Sequence, residues 1–265
     1  MVTGASSGIG EITARKLAAR GWTCILLARR KERLQQIASE IGAEVEVCDV
    51  ADREQVDAVA CRVAQRHESI QLLVNNAGIP GRSEFIDADP ERIELVTQIN
   101  YLGGVWCLRA FLSLLERGQP SDVVNVASVA GTVAGGAGGP YSAAKHAQVA
   151  FSRSTAIELA PRGIRVHTIK PGFADTEGFP QDRFLEHPIA RYAVTTDEKI
   201  ADAILNAIAR NRREVFVPWF YQPAAMLQGI MPATMTRVLS STTLARALAW
   251  WKDHEGTGGG TSEGR

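Results

Sequence analysis

The chain has no excess of either charge: Lys plus Arg and Asp plus Glu each total 29 in 265 residues. Without a global field to attract a polyanion, nucleic acid is excluded as an expected partner, leaving small molecules and other protein chains. Cysteine is scarce, and Cys24, Cys48, Cys61 and Cys107 show neither CxxC nor metal-ligand spacing. They read as reduced core thiols of a cytoplasmic protein, in keeping with the lack of a signal-peptide pattern before the glycine-rich opening. His67, His146, His167, His187 and His254 form no cluster with carboxylates, so no catalytic metal is expected. No apolar run reaches the ~18 residues of a membrane-spanning helix, and no internal repeat is present.

What is there is alternation. Short apolar runs at 23–28, 44–48, 72–74, 123–127, 165–169 and 214–217 read as strands, several continuous enough to be buried on both faces. Between them, segments 12–20, 32–41, 53–66, 90–116, 142–159 and 197–210 carry apolar residues at helical spacing. This pattern predicts an α/β fold, a parallel sheet with helices on both faces. Residues 131–140, rich in glycine, read as a flexible loop. After Pro218 the sequence turns apolar, aromatic and proline-broken over 219–232, a short amphipathic helix is expected at 242–251, and 255–265 reads as a disordered tail.

The opening is Met1-Val2-Thr3-Gly4-Ala5-Ser6-Ser7-Gly8-Ile9-Gly10, followed at once by an amphipathic helix. A dinucleotide pyrophosphate needs backbone N–H groups and a helix N-terminus brought very close, and only glycine permits that approach. The TGxxxGxG pattern between strand and helix fits, with Ser6, Ser7 and Ile9 lining the same turn. The next strand ends in Ala28-Arg29-Arg30, where NAD-binding folds place an acidic residue on the ribose hydroxyls. Arginine suits a 2′-phosphate instead, so Arg29 points to NADP(H) in preference to NAD(H); the alternative is that both arginines only solvate the next helix. Asp49, with Val50 beside it, is placed to meet the adenine edge.

Tyr141 and Lys145 form a YxxxK pair, which sets both side chains on one helical face. A nearby ammonium favours the phenolate, making proton exchange with an alcohol or carbonyl oxygen feasible. Ser128 precedes them at a strand end. Together with Asn75-Asn76-Ala77-Gly78 and Pro171-Gly172, these motifs resemble, in order and spacing, the short-chain dehydrogenase/reductase family over about residues 1–217. The resemblance implies a Rossmann-type doubly wound sheet of order 3-2-1-4-5-6-7. It also implies that Tyr141 is the general acid/base, that Lys145 binds the nicotinamide ribose and tunes Tyr141, and that Ser128 holds the substrate oxygen. Asn100 would complete a proton relay through water. Asn76, Ala77 and Gly78 would wall the adenosine side, and Pro171, Gly172 and Thr176 the nicotinamide side. For Asn75, Asn76 and Thr176 taken singly, a turn or cap role is an equal reading.

The organisation expected is one catalytic domain over 1–218, with a substrate loop at 177–195 and an apolar extension at 219–254. In the loop, Phe179, Phe184 and Leu185 either line an apolar pocket or pack the loop down. The extension covers the site, contacts another subunit or touches a membrane surface through 219–251. A small hydrophobic ketone or alcohol is the substrate inferred, and the resemblance implies a homodimer or homotetramer with helix 142–159 as a contact. An epimerase or dehydratase of nucleotide sugars and a non-catalytic NADP sensor are the alternatives. The former usually has a larger C-terminal domain, and the latter often lacks the tyrosine or lysine. Members of the family usually carry more residues before the valine, so the first strand is expected to be truncated. Either the natural start lies upstream or the neighbouring strands tolerate the gap, and stability is the property expected to suffer.

Overall fold

The computed structural model describes residues 1–81, 85–135, 138–175 and 194–241. Among these residues, nine strands run as β1 (Val2–Thr3), β2 (Ile25–Ala28), β3 (Glu44–Val47), β4 (Leu72–Asn75), β5 (Ser121–Val126), β6 (Ile164–Pro171), β7 (Phe173–Asp175), β8 (Val194–Thr196) and β9 (Glu214–Val217). Seven form one parallel sheet in the order β3-β2-β1-β4-β5-β6-β9. This is the doubly wound order expected, with β9 as its seventh strand. β7 and β8 form a separate parallel pair that the sequence did not announce.

The helices are α1 (Gly8–Ala18), α2 (Lys31–Ile41), α3 (Arg53–Arg66), α4 (Pro90–Thr97), α5 (Gly103–Arg117), α6 (Gly139–Leu159), α7 (Asp197–Ala209), α8 (Gln222–Ile230) and α9 (Pro232–Leu239). Local signals explain their ends. Asp52 caps α3 by accepting from the N–H groups of Glu54 and Gln55, and Gly42 closes α2 in the left-handed region at φ 67°. Successive strand residues point to opposite faces, so Leu73 and Val123 enter one core while Leu72, Val74 and Val124 enter the other. The first core is covered by α3 and α5 with the end of α6; the second by α1, α2 and α7.

β1 has only two residues, as expected, yet it is paired on both sides. Val2 and Thr3 pair with Leu26 and Leu27, Val2 also with Val74, and the Met1 amino group donates to Leu72 O at 2.7 Å. Thr3 ties this short strand to the loop after β4: its hydroxyl donates to Val74 O and accepts from the N–H groups of Asn76 and Ala77.

Three expectations need correction. The helix expected over 90–116 is interrupted by a π-helical turn, Gln98–Leu102. Of the loop expected over 131–140, both ends belong to helical elements: Gly131 is buried in a 3₁₀ turn, and Gly139 and Pro140 begin α6. Cys24, Cys48 and Cys107 are core thiols, whereas Cys61 is exposed, lying on α3 away from the face that buries Val56, Val59, Ala60 and Val63. The loop residues 177–193, the helix expected at 242–251 and the tail at 255–265 lie outside the described residues, while Val194 and Thr195 belong to β8. Among the described residues no helix is long and apolar enough to cross a membrane, and no group of three or more His, Cys, Asp or Glu side chains is placed to hold a metal.

Candidate active site

The site lies beyond the carboxyl ends of the central strands, where such sheets place their ligands. Gly4 and Gly8 adopt φ values of +63° and +55°, a region costly for residues with a Cβ. A Cβ on Gly10 would lie 2.3 Å from Gly4 O and 2.5 Å from Asn76 Nδ2, so the third glycine is demanded by contact instead of dihedral. Asn76 Nδ2 donates to Thr3 O at 3.1 Å, fixing the Asn-Asn-Ala-Gly segment against the turn. The Ser7 side chain makes no capping hydrogen bond to α1, so it leaves the first N–H groups of that helix to a ligand. A cradle that any Cβ would fill, at a helix N-terminus, fits a dinucleotide pyrophosphate.

At the end of β2, Arg29 is largely exposed, with Nη1 3.5 Å from Asp49 Oδ2. Asp49 also accepts from the Ala51 N–H, so it shapes the turn after β3 as well as facing the arginine. Val50 is buried beneath that turn against Gly103, where a Cβ would lie 2.8 Å from Val50 Cγ2. Arg30 turns back over the cradle: its Nε donates to Ser6 Oγ at 3.1 Å and its Nη2 to Ser6 O at 3.2 Å and to Ser7 Oγ. Sequence reasoning gave Arg29 the phosphate role and missed Arg30. The adjacency of two arginines was the signal, but their directions were invisible in it.

The candidate reacting residues come from three elements. Ser128 follows β5, accepts from the Ala130 N–H at 3.1 Å and reaches Pro171 O at 3.4 Å. Tyr141, in the first turn of α6, is hydrogen-bonded through its side chain to Ser128. Ser142 helps set that approach, since its hydroxyl donates to Ala130 O at 2.7 Å and so ties the start of α6 to the turn after Ser128. One turn further on, Lys145 places Nζ 5.8 Å from the Tyr141 ring centre and donates to Val126 O and Gln148 Oε1, both at 3.0 Å.

Asn100 sits in the π-helical turn, a distortion that recurs at functional sites. Its Nδ2 donates to Ile79 O and Val96 O at 3.0 Å, and its Oδ1 accepts from the Ile79 N–H. A Cβ on Gly78 would lie 2.9 Å from Asn100 Oδ1 and 3.9 Å from Lys145 Nζ, so this glycine leaves room between the two groups. Pro171 and Gly172 close the other side, and Thr176 lies outside the described residues.

Burial pushes the Tyr141 phenol up to about 12, with only the Ser128 hydrogen bond acting against it. Burial alone brings Lys145 down to about 7. Desolvation therefore outweighs the lowering of the tyrosine expected from the YxxxK spacing.

Two further residues escaped the sequence reading. The Tyr221 ring covers Gly172, where a Cβ would lie 2.2 Å from Tyr221 Cε2, and its phenol is hydrogen-bonded to the Phe173 backbone. Gln228 on α8 accepts from the Ala134 N–H at 3.3 Å. The segment after Pro218 thus joins the loops on both sides of Ser128.

A glycine cradle at the strand ends, set beside a serine, a tyrosine, a lysine and an asparagine, defines a Rossmann-type oxidoreductase. The chain belongs to the short chain dehydrogenase family, whose model matches residues 1–183. It is 35% identical over 223 residues to a Streptomyces violaceoruber protein described as ketoacyl reductase 1 of the granaticin polyketide synthase, covering 80% of this chain and 79% of that one. Among solved structures, actinorhodin polyketide ketoreductase with NADPH superimposes with a TM-score of 0.73 at 28% identity, covering 81% of this chain and 93% of that one. An alcohol dehydrogenase from the archaeon Thermococcus sibiricus, complexed with 5-hydroxy-NADP, gives 0.72 at 29% identity over the same shares. The chain is accordingly an oxidoreductase acting on CH–OH groups or the matching carbonyls.

Proposed function

We propose that the protein is an NADP(H)-preferring enzyme that interconverts a hydrophobic ketone or aldehyde with its alcohol, with Tyr141 as general acid/base. The observation that carries this reading is the convergence of Ser128, Tyr141 and Lys145 from β5 and α6. When bound, NADP(H) supplies or accepts the hydride. Ser128 holds the substrate oxygen, and Tyr141 delivers its proton to that oxygen during reduction or removes it during oxidation. The Lys145 ammonium favours the transient phenolate and offers N–H donors to the nicotinamide ribose. Asn100, held by Ile79 and Val96, fixes the far end of a proton path to solvent.

The cofactor preference rests on Arg29 and Arg30. Both guanidiniums flank the cradle at the end of β2, with no carboxylate at the strand end itself to hold ribose hydroxyls. NADP-bound structural relatives agree with this choice. Gly4, Ser6, Ser7, Gly8, Ile9 and Gly10 would hold the pyrophosphate, and Asp49 and Val50 the adenine side. Asn76, Ala77 and Gly78, with Pro171, Gly172 and Thr176, would form the remaining walls.

We place residues 1–218 in one catalytic unit in a cytoplasmic homo-oligomer, with α6 and its exposed Ile157 as a subunit contact. The apolar side of α8 and of the turn before it, exposing Trp219, Met226 and Ile230, is the surface for any membrane contact.

The test is turnover with NADPH and with NADH against aliphatic, steroid, quinone and acyl-thioester ketones. NADPH is expected to give at least a tenfold higher kcat/KM on a responsive substrate. Tyr141→Phe should lower kcat by roughly 10²–10⁴ while cofactor binding survives. Equal or better use of NADH overturns the cofactor assignment; near-normal turnover by Tyr141→Phe overturns the role of Tyr141. Cofactor binding without turnover across the panel favours a sensor.

A further inference from the structure

The Lys145 side chain is almost wholly enclosed, and the groups that accept from its ammonium are neutral. β5 contributes the Val126 carbonyl, the loop after β4 contributes Gly78, and the π-helical turn contributes Asn100. Tyr141, one turn back on α6, is the titratable neighbour, and no carboxylate acts on the ammonium. An ammonium has three N–H donors. Val126 O takes one at 3.0 Å and Gln148 Oε1 takes another at the same distance, leaving one for the ligand side.

Gln148 is itself buried, and its backbone carbonyl ends a polar chain from the sheet. The Ser152 hydroxyl donates to Gln148 O at 2.7 Å; Asn125 Nδ2 donates to Ser152 Oγ at 2.9 Å; Asn75 Nδ2 donates to Asn125 Oδ1 at 2.9 Å. A polar chain therefore runs from the sheet interior at β4 and β5 into α6 and ends next to the lysine. In so enclosed a place an apolar side chain would pack equally well, so the carboxamide needs a reason.

We propose that Gln148 is the positioning residue of this site: a neutral acceptor that keeps the Lys145 ammonium charged and aimed without cancelling its field at Tyr141. The proposal rests on the Tyr141–Lys145 reading above. A leucine would leave the ammonium one acceptor short, which favours neutral lysine and removes the charge that the phenolate needs. A glutamate would hold the ammonium more firmly, but its negative charge would offset the field at the tyrosine. Because the ammonium lies 5.8 Å from the Tyr141 ring centre and the productive state pairs it with the phenolate, the two substitutions displace the pH dependence in opposite directions.

The experiment reads Lys145 directly, on protein without cofactor, by NMR titration of 13Cε-labelled lysine, with the signal assigned by its loss in Lys145→Met. The wild-type signal should titrate near about 7. It should move down by roughly one pH unit in Gln148→Leu and up by at least as much in Gln148→Glu, since a hydrogen bond to a charged group has about that effect. The kcat/KM profile for alcohol oxidation should follow, with its rising limb displaced to lower pH and a reduced plateau in Gln148→Leu, and to higher pH in Gln148→Glu. Gln148→Met gives a second apolar replacement of similar length and should match Gln148→Leu. A Lys145 titration unchanged in the variants, or displaced in the same direction by leucine and glutamate, overturns the proposal. Since that readout needs no turnover, an active Tyr141→Phe would sink the acid/base assignment and leave the Gln148 result standing.

Discussion

A single added carbon separates the glycines that build the cradle from those that merely bend the chain. At Gly10 a Cβ would meet the backbone oxygen of Gly4 at 2.3 Å, an atom that cannot swing away. Gly10→Ala should therefore push α1 off the turn, costing about 1–3 kcal/mol of stability and weakening NADPH binding. At Gly135 a Cβ would meet nothing within 4 Å, and Gly135→Ala should leave melting temperature and binding unchanged. Thermal melts and fluorescence titration of NADPH check both. The glycine spacing was legible in the sequence because it answers to a local demand. Arg30 and Gln148 were not, since their roles depend on Ser6 and on the enclosed ammonium, and helical or strand periodicity says nothing of either.

Among the elements, β9 shows how one side chain can join three. Glu214 at its start accepts from Arg153 of α6 at 2.6 and 3.1 Å, and also from Lys170 of β6, whose ammonium lies 4.1 Å from the Phe216 ring centre. Chiefly through the Arg153 hydrogen bonds, with burial opposing and Lys170 assisting, its carboxyl is held down to about 2. A depressed carboxyl contributes stability above its unfolded value of ~4.3, and that stability is lost as pH falls toward the folded value. Glu214→Gln should cost about 1–3 kcal/mol near neutrality, the upper part of the range reflecting the buried Lys170 left without its partner. Melts from pH 7 to pH 2 should show the wild-type advantage constant above about pH 5 and shrinking below it.

The same scale explains one misreading. Apolar residues continue through 90–116 at nearly helical spacing, so nothing in the pattern marks the π-helical turn that sets Asn100 beside Gly78. β7 and β8, each of three residues, are too short to carry an alternation of their own. Two-residue β1 was legible only because a glycine turn follows it.

For the molecule as a whole, the alternation of strands and helices made the parallel sheet legible, because parallel strands need crossovers, while the strand order was implied by the family resemblance alone. The consequence is two cores divided by a single sheet and sharing its strands. Phe111→Ala on the α5 side and Ile204→Ala on the α7 side should cost about 3–5 and 2–5 kcal/mol. Because alternate residues of β4 and β5 enter opposite cores, each variant should lower one common transition, with far-ultraviolet circular dichroism and tryptophan fluorescence melting together. Separate transitions would mean that the two faces unfold independently.

Less legible was the docking of the chain after Pro218, where apolar residues recur without a charge pattern to orient them. Tyr221 lies on Gly172 and Gln228 reaches Ala134, yet both residues stand beyond the portion shared with the family model. The chemical centre and the wall beside it thus belong to separable stretches of one gene. Selection can rewrite the wall codon by codon while the residues proposed to handle the proton stay fixed, so paralogues of this chain would diversify in what they admit before they change what they do.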